Sequence, residues 1–141
     1  MAAFLTGIDG IKQHLIDQGE TVLWDGRGLQ LVARPRGHVG RLMLFEPRPG
    51  QVRAVLMLPF DVAASELGAF TQRMATVNAK IGLGTFQLRE HDGSYAAVFV
   101  VYAWYNHDGS ISTEVVDRVV ETARVTTDHF LLELFPDVGE G

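Results

Sequence analysis

The tetrapeptide His-Asp-Gly-Ser occurs twice, at residues 91–94 and 107–110, on either side of the segment YAAVFVVYAWYN. A histidine beside an aspartate is the raw material of metal sites and of general-base catalysis. Two copies raise the question of one split site. The residues between them, Tyr95–Tyr105, read as a single extended strand. Eleven residues at about 3.3 Å each put the ends roughly 36 Å apart, beyond the reach of side chains. Within one chain the two histidines therefore cannot share a metal or a proton. The Asp-Gly pairs read instead as turn signals. The route left to a His/Asp site is an antiparallel dimer that brings His91 of one copy near His107 of another.

The other chemistry-bearing residues are scattered. His14, His38 and His129 show no HxxxH or HExxH spacing. Ser94, Ser110 and Ser112 lack a GxSxG elbow, and Ser112 suits a helix cap. The glycines of GLGTF, residues 82–86, follow a helical pattern and precede a strand, the reverse of the order that aims amides at a phosphate. Glu46, Glu66 and Glu90 stand alone, and Asp117 and Glu121 lie on the polar face of one helix. No catalytic residue, cofactor or metal is assigned on these patterns, and the chain is expected not to be an enzyme. RPRGHVGR at 34–41 is the one basic cluster, and Arg34, Arg36 and Arg41 are its candidate contacts to an acidic partner or a nucleic acid. A net charge of −5 argues against general nucleic-acid binding.

The elements that position these residues follow from periodicity. Leu5, Ile8, Ile11, Leu15 and Ile16 have helical spacing over 5–18, with Gly19 as a C-cap. Thr21–Trp24 is extended and Asp25-Gly26 a turn. Strands are expected at Leu29–Ala33, Val39–Phe45 and Val52–Leu58, the last stopped by Pro59. Asp61 is expected to cap a helix in which Leu67, Phe70, Met74, Val77 and Ile81 keep the helical period. Thr85–Arg89 and Tyr95–Tyr105 are strands. Ser112 or Thr113 caps a last helix with an apolar stripe from Val115 to Leu134, stopped by Pro136. The fold class is α+β: an antiparallel sheet of about five strands with three helices, in the order α-β-β-β-α-β-β-α.

At 141 residues the chain is expected to form a single domain over 1–141, with 136–141 as a frayed tail. Apolar residues make up 47%, enough for a sizeable core. No apolar run approaches the ~18–20 residues that span a bilayer, and no signal peptide is expected at the N-terminus. The chain has no cysteine, which removes disulfides and thiolate chemistry and suits a cytoplasmic setting. One strand stands out. Tyr95–Tyr105 carries apolar side chains on both faces, whereas an antiparallel sheet with one wet face alternates. It is therefore expected to be covered on both sides, by the three helices or by a partner subunit, and a homodimer is expected.

The segment MATVNAKIGLGTFQLREHDGSYAAVFVVYAW, residues 74–104, resembles the YbjN-type proteins of bacteria. In these, an Asn near a helix end precedes a Gly-x-Phe strand, a hairpin, a strand and a final helix. Asn78, Gly84 and Phe86 are the matching residues, and the element order extends the likeness over about residues 5–135. The YjfI family is a similar match. The resemblance implies the fold of class I type III secretion chaperones, small acidic proteins that are usually dimeric and bind other proteins, and it brings no catalytic residues. The expected function is a non-enzymatic protein-binding module with a chaperone-like or regulatory role. Its expected binding surface joins Leu67, Phe70, Met74 and Val77 with Tyr102 and Trp104, through apolar burial and strand addition at a sheet edge. The alternatives are a small-ligand or enzymatic domain built on an inter-subunit His/Asp site, and a nucleic-acid regulator using the 34–41 loop.

Overall fold

The structure, a computed structural model, describes residues 3–138. Its elements are β1 (Phe4–Thr6), α1 (Gly7–Asp17), β2 (Leu23–Trp24), β3 (Leu29–Ala33), β4 (Gly40–Phe45), β5 (Gln51–Val62), α2 (Leu67–Asn78), β6 (Thr85–His91), β7 (Ser94–Trp104), β8 (Ser110–Ser112) and α3 (Thr113–Leu134). Six strands form one antiparallel sheet in the order β2-β3-β4-β5-β7-β6. The sheet thus has one strand more than the five expected, because the extended stretch ending at Trp24 also pairs, through Leu23 with Gln30 and Trp24 with Leu29. β1 and β8 form a separate two-stranded ribbon. With three residues each, they are too short to carry a readable alternation.

The last helix organises the rest. The Ser112 hydroxyl accepts from the Glu114 amide, as a cap does. Its buried stripe, Val116, Val119, Val120, Ala123, Leu131 and Leu134, lies over Ala97, Phe99 and Val101 of β7 and over Ala54 and Leu56 of β5. Thr127 is also buried in that stripe and donates to Ala123 O at 2.8 Å, so its hydroxyl costs little. Ile11 and Leu15 of α1 and Phe70 and Val77 of α2 join the same core. α1 ends in a Schellman motif: Glu20 N donates to Leu15 O and Gly19 N to Ile16 O, with Gly19 at φ +91°.

Two expectations about the middle of the chain are corrected. Pro59 does not stop the third strand, since β5 runs on to Val62. The pairing with β7 shifts register between Met57 and Asp61, so the proline sits in an irregularity where no ladder amide is required of it. Asp61 consequently lies within β5, opposite Ala96, and does not cap α2. That helix is entered through a short 3₁₀ turn, Ala64–Glu66, with no side-chain cap. Part of the expected frayed tail, residues 139–141, lies outside the described residues.

The residues of the family-like motif lock the α2–β6 corner. The Asn78 amide donates to Phe86 O at 3.0 Å and accepts from Phe86 N at 2.8 Å, closing both outward groups of that edge residue. Phe86 in turn packs on Phe99, ring centroids 4.9 Å apart. Gly84 has φ +87°, and a Cβ there would fall 2.4 Å from the Phe99 ring, so only glycine fits.

An ion pair ties three elements together. Arg124 on α3 grips Glu20 bidentately at 2.6 and 2.9 Å and also donates to Val32 O of β3. Hydrogen bonding from Arg124 holds the Glu20 carboxyl below its ordinary pKa. A carboxyl depressed in the folded state adds stability above the carboxylate range and loses it as the pH falls through its folded pKa. Glu20→Gln is therefore expected to cost about 1–2 kcal/mol near neutral pH. The gap to the parent chain should close as urea melts are taken to acid pH; a gap independent of pH would contradict the pairing.

Candidate functional site: the uncovered face of the sheet

The helices pack on one face of the sheet, and the strand registers define the residues of the other. Val32, Arg41, Met57, Val98 and Gln87 form one cross-strand row. Gln30, Met43, Val55, Val100 and Thr85 form the next, and Phe45, Arg53 and Tyr102 a third. Trp104 lies opposite Gln51 beyond them.

This face has a dry centre with exposed apolar side chains around it and polar ones beyond and between them. Val98 is 0% and Val100 5% exposed, clustered with Val55 and Phe45 although no helix lies over them. Small branched side chains are sealed there by taller cross-strand neighbours. Of the two covers expected for β7, the three helices or a partner subunit, the chain's own helices supply cover on one face only. Around the centre, Tyr102 (52%), Trp104 (55%), Val32 (48%) and Met57 (39%) stand in solvent. Tyr102 and Trp104 meet edge-to-face, with centroids 6.4 Å apart.

Arg53 stands beside the dry centre of this surface, in the cross-strand row next to Val55 and Val100. Arg53 lies between Phe45 and Tyr102 and beside a shallow cavity of about 380 Å³, which it lines with Leu83, Thr85, Gln87, Val100 and Tyr102. Its one hydrogen bond runs from Nη2 to Gln51 Oε1 at 3.2 Å, and its buried Nε has no partner. Among the described residues, no carboxylate pairs with it. Arg41 and Arg89 share the face. Its acids lie at the margins. Asp61 is six residues from Tyr102 along β7, roughly 20 Å, and Asp25, held by Gln30 at the β2 edge, is three strands from Arg53, about 14 Å. Neither forms an ion pair with Arg53.

The six residues of the expected surface do not meet. Phe70 and Val77 are buried in the core, with Leu67 and Met74 packed against it on the helical side, while Tyr102 and Trp104 lie on the uncovered face. The helical period of α2 marks its core face, and the same pattern serves a core or a groove. The basic loop is split too. Arg36 donates from its amide to Asp128 Oδ1 and from Nε to Asp128 O, and Arg34 borders a hollow beside α3. Arg41 lies on the uncovered face.

Both HDGS segments act as turns. Asp92 and Gly93 take φ +48° and +82°, the two left-handed residues of a tight hairpin joining β6 to β7. Asp108 accepts from the Ser110 hydroxyl and amide, which lowers its carboxyl pKa. His91 and His107 are exposed at opposite ends of β7, and among the described residues no three potential ligands converge. His14 Nε2 lies 2.8 Å from Asp117 Oδ1, binding α1 to α3. Sequence reasoning passed over Arg53 and Gln51. The signal was there, in the polar side chains that interrupt QVRAVLML at alternate positions.

A six-stranded antiparallel sheet backed on one face by three helices is an α+β architecture. Among solved structures the chain is similar to YbjN from E. coli, with a TM-score of 0.65 and 15% identity over 89% of this chain and 91% of that one. The chain therefore has a YbjN-like fold. At that identity the likeness concerns the fold alone, and YbjN's own assignment as a transcription regulator is provisional. No family model and no curated protein matches the chain. No helix of the described residues is long and apolar enough to cross a membrane.

If Arg53 serves a ligand and not the sheet, the sheet does without it. Replacing both partners of a polar contact by apolar groups of similar shape is nearly neutral or stabilising. The double variant Gln51→Leu with Arg53→Met is expected to keep or raise the urea midpoint, with a gain of up to about 1 kcal/mol. A loss larger than that would show that the pair holds the sheet together.

Proposed function

We propose that the chain is a non-enzymatic protein-binding module with a chaperone-like or regulatory role, and that it docks a partner polypeptide on the uncovered face of the sheet. One observation carries this reading: Val32, Met57, Tyr102 and Trp104 stay exposed around a centre that is already dry. Contiguous exposed apolar surface with a polar rim marks interaction sites, and aromatic residues dominate the energetics of such contacts. The expected strand addition has less room. Asn78 already closes the outward groups of Phe86 on the β6 edge, so docking on the face is favoured over pairing at that point.

The expected second copy fits this face less well than a different partner. Isologous pairing sets the face against itself, and its strand rows offer Asp61 as the one acid against Arg41, Arg53 and Arg89. A nucleic acid is disfavoured by the net charge of −5 and by the splitting of Arg34, Arg36 and Arg41 between two sides of the sheet. The absence of cysteine suits a reducing, cytoplasmic setting.

A photo-crosslinking amino acid placed at Tyr102 tests the reading in living cells, with the same residue at Glu121 on the exposed side of α3 as the control. The expected result is a discrete heavier adduct from position 102, absent from position 121 and lost when Trp104→Ser is added. Equal adducts from both positions, or none from 102, would overturn the reading. An adduct of twice the chain mass would assign the face to a second copy.

A further inference from the structure

The geometry points to a carboxylate-binding subsite at Arg53, which takes an aspartate or glutamate side chain of the docked polypeptide. This inference rests on the face being the docking surface, and it adds the chemistry that the partner must present. Arg53 borders the dry centre of the face, and among the described residues its side chain has one hydrogen-bond partner, a neutral amide. The acids that share the face, Asp61 and Asp25, stand roughly 20 and 14 Å away along the sheet, and Glu46, beside its cross-strand neighbour Phe45, accepts instead from the Tyr105 hydroxyl. Removing part of a guanidinium from water without a counter-charge is unfavourable, and a partner carboxylate offsets that cost in the complex. The planar guanidinium fork matches a carboxylate, which accepts from it at two oxygens.

The cavity beside Arg53 fits a short acidic side chain. Thr85, Gln87 and Tyr102 supply further polar groups at its wall, and Leu83 and Val100 supply apolar ones. Two residues along β5 from Arg53 the face turns apolar, at Val55, and then at Met57 with Val98 opposite. A matching partner segment therefore carries one acid flanked by apolar residues at alternate positions, the spacing that puts side chains on one side of an extended chain. Arg41, Arg53 and Arg89 outnumber Asp61 in the strand rows of this face although the chain as a whole carries −5, so its charge complements an acidic segment and not a basic one.

The test is selection of random peptides of about twelve residues, displayed on phage, against the 141-residue chain. The expected result is enrichment of peptides with one Asp or Glu between apolar residues. Changing that acid to Asn or Gln should weaken binding to the parent chain about tenfold, with no such loss against Arg53→Gln. This cycle isolates the pair, and its peptide-side half does not depend on how the protein variant folds. Selected peptides without an acid, or an acid whose removal costs the same in both proteins, would overturn the subsite and leave the docking reading standing. Peptides whose binding ignores Tyr102→Ser and Trp104→Ser would overturn the docking reading itself. Displacement of the peptides by a single-stranded oligonucleotide, with steep salt dependence, would assign the face to nucleic acid and overturn both.

Discussion

Packing of α3 across β5 and β7 is the contact on which the other elements depend. Its apolar stripe closes the core over Ala97, Phe99 and Val101, and its flanks anchor the two shorter helices. α1 is tied to it through His14 with Asp117, and the segment after α1 through Glu20 with Arg124. α2 is tied through Lys80 with Glu133 and through Arg73, which donates to Leu134 O. Phe135, just past its end, packs against Phe60 and Phe70. Because α1 and α2 lean on the same helix, all three lie on the same side of the sheet. The uncovered face is the direct consequence.

A bare face must still tolerate contact with water. The centre is dried by its own side chains, with Val55, Val98 and Val100 sealed among cross-strand neighbours. Arg41, Arg53 and Arg89 keep the rest polar enough to be solvated. What remains unexplained by folding alone is the pair Tyr102 and Trp104, and an arginine whose Nε is buried without a partner. The proposed occupant, an apolar segment bearing one carboxylate, would cover them together.

Much of the fold was legible in the sequence because long, strongly periodic segments declare themselves. The stripe of α3, the limits of β3 and the Asp-Gly hairpin between β6 and β7 all follow from local pattern. β1 and β8 left no such trace, since three residues show no period. Pro59 read as a stop because its tolerance depends on a register shift that only the pairing with β7 reveals. The candidate site was harder to read. Apolar side chains on both faces of β7 singled out the strand that carries Tyr102 and Trp104 on the uncovered face. Pattern alone could not say which face the helices would take, so buried α2 residues were grouped with exposed aromatics across the sheet. Arg53 was passed over because one charge among apolar residues has meaning only when its neighbours in space are known.

Methyl shifts followed by NMR test the central claim most directly. Val55, Met57, Val98 and Val100 report from the uncovered face, and Leu15, Leu131 and Leu134 from the helical core. Titration with a selected acidic peptide is expected to move the first set and leave the second in place. Movement confined to the helical set, or to neither, would contradict the assignment of the open sheet as the docking surface.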